Sequence, residues 1–163
     1  MKKRHICFAS SRGGHLTELQ QIIECFSTKK FSYFILSDKS HDTRHMEYDI
    51  RYIRPFLGTY PLRAIYPHRL IQNFWQVLRI LRKERPDVVI STGASICLPA
   101  LLTARCMGIT TIFVESLNRV HTPSVTGRIA ALFVDRVYIQ WPELAQAYAR
   151  AKAEIIYAGD VLS

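Results

Sequence analysis

Three short polar clusters carry the residue types that could do chemistry in this chain. SSRGGHLTEL contains Ser10, Ser11, Arg12, Gly13, Gly14 and His15; STGAS spans Ser91, Thr92, Gly93, Ala94 and Ser95; ESLNR spans Glu115, Ser116, Leu117, Asn118 and Arg119. Paired glycines before a helix expose backbone amides at its positive end, an arrangement that suits phosphate, and an adjacent imidazole can contact a ligand or move a proton. The plain alternative is a tight strand-to-helix turn with His15 as a polar first-turn residue. Glu115 carries the same ambiguity, because charged residues at strand ends are commonly just solvated. If the clusters share one rim, His15 and Glu115 are the candidate proton-transfer groups. The candidate binding residues are then Ser11, Arg12, Gly13, Gly14, Thr92, Gly93, Ser95, Ser116, Asn118 and Arg119. The first loop matches neither GxGxxG nor GxxxxGK[ST], which disfavours a dinucleotide or P-loop site.

The elements that must position these clusters alternate. Apolar runs at Ile6–Ser10, Phe31–Leu36, Asp87–Ser91, Ile109–Val114, Arg136–Ile139 and Glu154–Tyr157 read as strands, with a weaker one at Ile50–Ile53. Helical spacing marks Leu16–Phe26, Pro67–Lys83 and Ile96–Met107, the last closed by Gly108, and helices are expected over Pro123–Phe133 and Pro142–Lys152. Six or seven strands alternating with helices, several apolar on both faces, predict a Rossmann-like α/β domain. Its sheet is mostly parallel with helices on both faces. In such sheets ligands gather beyond the carboxyl ends of the strands, where all three clusters fall. In the Pro67–Lys83 helix, Leu70, Ile71, Phe74, Trp75, Val77, Leu78 and Leu81 are expected on one side, opposite Arg69, Gln72, Asn73, Gln76, Arg79 and Lys83.

Charge is concentrated rather than spread. The chain has 22 Lys and Arg against 13 Asp and Glu, a formal +9, and the window from Arg51 to Arg85 holds eight basic side chains against the single acid Glu84. Within it, FLGTYPLRAIYPHRLIQNFW interleaves Phe56, Tyr60, Tyr66, Phe74 and Trp75 with Arg54, Arg63, His68 and Arg69. The residues could form a solvated basic face over core aromatics. They could equally lie between anionic headgroups and acyl chains, with Arg54, Arg63, Tyr66, Arg69, Phe74 and Trp75 as the contacts. Stacking and phosphate contact with single-stranded nucleic acid is the third reading.

A length of 163 residues, 48% of them hydrophobic, suits a single domain over 1–163. Cys7, Cys25, Cys97 and Cys106 are scattered in apolar segments without metal-ligand spacing, so buried reduced thiols and no metal are expected. The apolar run Ile6–Ala9 is too short for a signal-peptide core, and no stretch reaches membrane-spanning length, which points to a cytoplasmic chain.

Four stretches together resemble a known family: SSRGGHLTEL after the first strand, DVVISTGASICLPALL, FVESLNRVHTPSVTGRI, and VYIQWPEL followed by YAGDVL. The chain is similar to the accessory-subunit family of the bacterial PssD-type exopolysaccharide proteins. That family also holds the membrane-anchoring subunit of the eukaryotic enzyme that adds the second N-acetylglucosamine to dolichol-linked oligosaccharide. Both groups are similar to the N-terminal half of MurG-type lipid-linked glycosyltransferases of GT-B architecture.

The resemblance implies a subunit of a two-component glycosyltransferase in exopolysaccharide- or capsule-type biosynthesis. Sugar would pass from a nucleotide sugar to a polyprenyl-diphosphate-linked saccharide. This chain would supply the acceptor and membrane side, and a PssE-like partner would bind most of the nucleotide sugar, since the sequence stops at IIYAGDVLS, where a single-chain relative would enter its donor-binding half. The Gly-Gly-His loop would face the acceptor, with His15 a candidate base, and the STGAS turn and Glu115 would complete its wall. No cofactor is implied and no nucleic acid is expected. Attachment would be peripheral, on the inner face of the cytoplasmic membrane. The competing assignment is a non-enzymatic basic module that binds single-stranded nucleic acid.

Overall fold

The computed structural model describes residues 3–11, 13–26, 30–38, 48–54, 67–93, 96–157 and 159. Strands β1 (Arg4–Ser10), β2 (Phe31–Asp38), β3 (Ile50–Ile53), β4 (Val88–Gly93), β5 (Thr110–Val114), β6 (Arg136–Ile139) and β7 (Glu154–Tyr157) form one seven-stranded sheet. Every neighbouring pair runs parallel, in the order β3-β2-β1-β4-β5-β6-β7. The chain winds outward from β1 to one edge, then returns to β4 and winds to the other. The switch in strand order therefore lies between β1 and β4, where a doubly wound sheet opens a crevice at its carboxyl ends.

The helices are α1 (Gly14–Glu24), α2 (Pro67–Glu84), α3 (Cys97–Cys106) and the short α4 (Val125–Ala130). Two apolar layers fix the sheet between them. On one face α1 lays Leu16, Leu19 and Ile23 onto Ile6, Phe8, Ile35, Ile90 and Val114. On the other, Val77 and Leu81 of α2, Ala100, Leu101 and Ala104 of α3 and Ala130 of α4 cover Cys7, Phe34, Val89, Phe113 and Val137. Burial of both faces explains the unbroken apolar runs of the central strands.

Three expectations change. Pro142–Tyr148 is a 3-10 helix rather than an α-helix reaching Lys152. The helix expected from Pro123 is confined to Val125–Ala130, because Ser124 caps it by accepting the Gly127 amide at 2.9 Å. The third change is the phase of α2. Its buried line runs through Asn73, Val77 and Leu81, while Leu70, Ile71 and Trp75 are exposed. Asn73 turns inward because its amide donates to the Arg54 carbonyl, and Gln76 beside it donates to the Tyr52 carbonyl at 2.8 Å. Polar side chains thus satisfy the backbone at the end of edge strand β3, and the aromatic side of the helix rotates outward.

The burial expected for all four cysteines holds for two of them. Cys7 and Cys97 are buried, whereas Cys25 and Cys106 are exposed, and all four are free thiols. Burial pushes the Cys97 thiol up to about 12, so it remains protonated.

Candidate functional site

At the switch point the β1 and β4 termini meet through a register irregularity. Ala9 pairs with Ser91 but Ser10 pairs with Gly93, so Thr92 is an extra residue on β4. A bulge of this kind re-aims a side chain at a strand end. Here it turns Thr92 Oγ1 toward β1, where it donates to the His15 carbonyl at 2.8 Å and lies 3.2 Å from Ser10 Oγ. The first loop is held to the second by that hydroxyl.

Gly13 occupies a positive φ of 84° immediately before α1, and its carbonyl accepts the Leu16 amide at 2.8 Å. The turn needs a glycine because an L side chain is strained in that region. Gly93 has φ 117°, and a Cβ built on it would lie 3.1 Å from His15 Cε1. The absence of a side chain at 93 is what lets the imidazole pack over the end of β4.

His15 faces Glu18 one turn along α1, with Nδ1 and Oε2 3.8 Å apart. The Glu18 carboxylate is itself anchored, for its Oε1 accepts from Ser116 Oγ at 2.7 Å and from the Leu117 amide at 3.1 Å. Interaction with Glu18 raises the imidazole pKa above its ordinary value against the opposing effect of burial, with smaller contributions from the Thr92 backbone and Glu115. Burial would raise the Glu18 carboxyl, but the facing His15 imidazole and hydrogen bonds from Ser116 and Leu117 outweigh it and hold the group below its ordinary value. Glu18 is not among the site residues expected from the sequence. The readable signal was its i,i+3 spacing from His15 within a helix.

Glu115 is placed differently from a solvated strand end. It is 1% exposed. Its Oε1 accepts the Ser116 amide at 3.1 Å, while Oε2 accepts the Ser124 amide at 3.0 Å and the Tyr148 hydroxyl at 2.5 Å. Burial and the nearby carboxylate push the Tyr148 phenol far up, so it stays a donor. Gln140 Nε2 donates to the Glu115 carbonyl at 2.8 Å, and Trp141 Nε1 to the Leu117 carbonyl at 2.7 Å. Glu115 therefore sits beneath the rim and organises the loop that Glu18 grips from above.

The structure brings Thr92, Gly93, His15 and Ser116 together. Ser11 is half-buried beside them, Gly13 and Gly14 are exposed, and Asn118 and Arg119 reach solvent at the far side of the third loop. Arg12, Ser95, Arg63 and Tyr66 lie outside the described residues. Of the interfacial candidates, Arg54 and Arg69 are exposed, Phe74 is half-buried and Trp75 is 53% exposed, with Ile71 at 60% one turn away. Arg79 and Arg82 continue the Ile71–Trp75 stripe toward the helix C-terminus and are also exposed. Among the described residues no helix is long and apolar enough to cross a membrane, and no group of three or more His, Cys, Asp or Glu could hold a metal ion.

Residues 62–157 match the family described as "Oligosaccharide biosynthesis protein Alg14 like". The chain is 24% identical over 183 residues to the human UDP-N-acetylglucosamine transferase subunit ALG14, covering 96% of this chain and 82% of that protein. Against a UDP-N-acetylglucosamine–N-acetylmuramyl-(pentapeptide) pyrophosphoryl-undecaprenol N-acetylglucosamine transferase from Ruminiclostridium cellulolyticum it is 38% identical over 91 residues, 56% of this chain but only 24% of the relative. Among solved structures, Acinetobacter baumannii MurG superposes with a TM-score of 0.75 at 16% identity, over 95% of this chain and 45% of that one. UDP-N-acetylglucosamine 2-epimerase from Rickettsia bellii superposes with a TM-score of 0.76 at 12% identity, over 99% and 46%. These likenesses establish the fold as that of a GT-B half, and the chain spans under half the length of those solved relatives.

Proposed function

The chain belongs to the Alg14-like family of oligosaccharide biosynthesis proteins, and from that premise we propose that it forms the acceptor-side half of a two-chain glycosyltransferase. The reaction passes a sugar from a nucleotide sugar to a polyprenyl-diphosphate-linked saccharide in exopolysaccharide- or capsule-type biosynthesis. A PssE-like partner binds most of the nucleotide sugar and closes the cleft. The acceptor hydroxyl oxygen attacks the anomeric carbon, the bond from that carbon to the nucleoside diphosphate breaks with its electron pair, and the hydroxyl proton passes to His15. Attack opposite the leaving group inverts the anomeric centre.

The observation that carries this reading is the position of His15. It stands at the switch point, locked by Thr92 and packed over Gly93, in a fold that matches less than half of a complete MurG chain. The exposed Ile71 and Trp75 stripe of α2, flanked by Arg79 and Arg82, supports peripheral contact with an anionic membrane surface on the cytoplasmic side.

The test is transfer from a UDP-sugar to a lipid-linked acceptor with this chain alone, the donor-binding partner alone, and both together. Activity only with both is expected. Full activity of the partner alone overturns the reading, as would tight oligonucleotide binding with no affinity for anionic vesicles.

A further inference from the structure

Two atoms at the centre of this site are buried and make no hydrogen bond: His15 Nδ1 and Glu18 Oε2. They face each other at 3.8 Å. The His15 side chain is nevertheless 35% exposed, so its accessible surface belongs to the rest of the ring and not to Nδ1. Glu18 cannot turn away to find another donor, because its second oxygen is held by Ser116 Oγ and the Leu117 amide from across the rim. The backbone beneath the imidazole is fixed as well, by the Thr92 hydroxyl on the His15 carbonyl.

We propose that Glu18 is a positioning residue for His15: its anchored carboxylate fixes the ring proton on Nδ1 and so leaves the lone pair on Nε2 for the acceptor. The proposal rests on the reading of His15 as the acceptor-side base. A neutral imidazole carries one proton, and the nitrogen that keeps it is set by the hydrogen-bonding demand on each edge. A carboxylate opposite Nδ1 can only accept, so it selects the Nδ1–H tautomer, and Nε2, on the opposite edge, is free to take a proton from a sugar hydroxyl. The groups that face the imidazole are Glu18 from α1, the Thr92 backbone from β4 and, more weakly, Glu115 just after β5, and each of them favours a protonated ring.

Glu18 has a second consequence for the same site. Through Ser116 and Leu117 it ties the GGH loop to the loop after β5, so the orientation of the base and the shape of the opposite wall are set by one side chain. A substitution can separate the two effects. In Glu18→Gln the amide oxygen still accepts from Ser116 and Leu117, but the amide nitrogen now donates toward Nδ1 and inverts the tautomer. In Glu18→Ala both effects are lost.

The experiment is NMR of the full chain with isotopically labelled histidine, alongside turnover in the assembled two-chain enzyme. The wild-type chain is expected to show His15 as the Nδ1–H tautomer with a pKa above the ordinary histidine value. Glu18→Gln should shift it to Nε2–H and lower its pKa, while the Leu117 amide keeps its protection from hydrogen exchange. In the assembled enzyme the same variant should lose about 10²- to 10⁴-fold in kcat, as for loss of a general base, with KM for the acceptor little changed. Glu18→Ala should lose the Leu117 protection in addition. An unchanged tautomer and pKa in Glu18→Gln overturns the positioning role. If those NMR changes occur but His15→Ala leaves turnover intact, the reading of His15 as the base fails and the dyad stands as a structural pair.

Discussion

Tyr148 donates to Glu115 at 2.5 Å across 33 residues, joining the 3-10 helix before β7 to the loop that follows β5. The carboxylate at the receiving end is buried, and it also takes the Ser116 and Ser124 amides. A buried carboxylate is tolerated only while donors surround it, so each one matters more than an exposed bond would.

Removing one donor should therefore be felt in stability. Tyr148→Phe is expected to cost about 1.5–3 kcal/mol, the range for a hydrogen bond to a charged group. Urea denaturation should show a lower midpoint with an unchanged m-value. Gly127→Ala should cost a similar amount, because a Cβ at Gly127 would overlap both Glu115 Oε2 and the Tyr148 hydroxyl. A neutral outcome for both would show that Glu115 does not organise this loop.

Gly93 makes the opposite demand, for empty space rather than for donors. In Gly93→Ala the added Cβ meets His15 Cε1 at 3.1 Å and Nδ1 at 3.2 Å, on a backbone with φ 117°. The strain should destabilise the chain by about 1–3 kcal/mol. The displaced imidazole should also cost more turnover in the assembled enzyme than the stability loss explains, which kcat at a temperature well below both unfolding transitions would reveal.

Much of this arrangement was legible because it is local. The apolar runs of β1, β2, β4 and β5 and the glycines after β1 and β4 follow from short stretches, and Ile50–Ile53, Arg136–Ile139 and Glu154–Tyr157 form strands over the expected residues. What escaped depends on partners remote in sequence. Asn73 reads as polar surface until the Arg54 carbonyl at the end of β3 is seen to need a donor. Glu18 lies within SSRGGHLTEL, yet its importance comes from Ser116 and Leu117, 98 and 99 positions away. Glu115 reads as a rim carboxylate, and the three donors that bury it come from the next residue, a helix cap and a tyrosine near β7.

The His15–Glu18 pair predicts a pH dependence of stability with a definite sign. His15 is raised from its ordinary value of 6.5, so its contribution is fully present below 6.5 and is lost as pH rises through the higher folded value. Glu18 is lowered from 4.5, so its contribution is present above 4.5 and is lost as pH falls through the lower folded value. The difference in urea midpoint between the wild-type chain and Glu18→Gln should therefore plateau between 4.5 and 6.5 and shrink on both sides. A difference that stays flat from acid to alkaline pH would show that Glu18 stabilises only through its neutral contacts.

Membrane contact through α2 can be tested because the side chains involved are already outside the core. Trp75 and Ile71 are more than half exposed, so replacing either with alanine should change stability by no more than about 0.5 kcal/mol. If the stripe enters the interface, each change removes on the order of 1 kcal/mol of apolar burial in lipid, about a fivefold loss of vesicle affinity. Charge reversal at Arg79 or Arg82 should weaken binding to phosphatidylserine-containing vesicles and not to neutral ones, and added salt should reduce that difference. Co-sedimentation of each variant with vesicles of both compositions measures all three effects. Should Trp75→Ala and Ile71→Ala sediment like the wild-type chain, α2 is not the lipid-contacting element, and the exposed aromatic side of that helix must be covered by a protein partner instead.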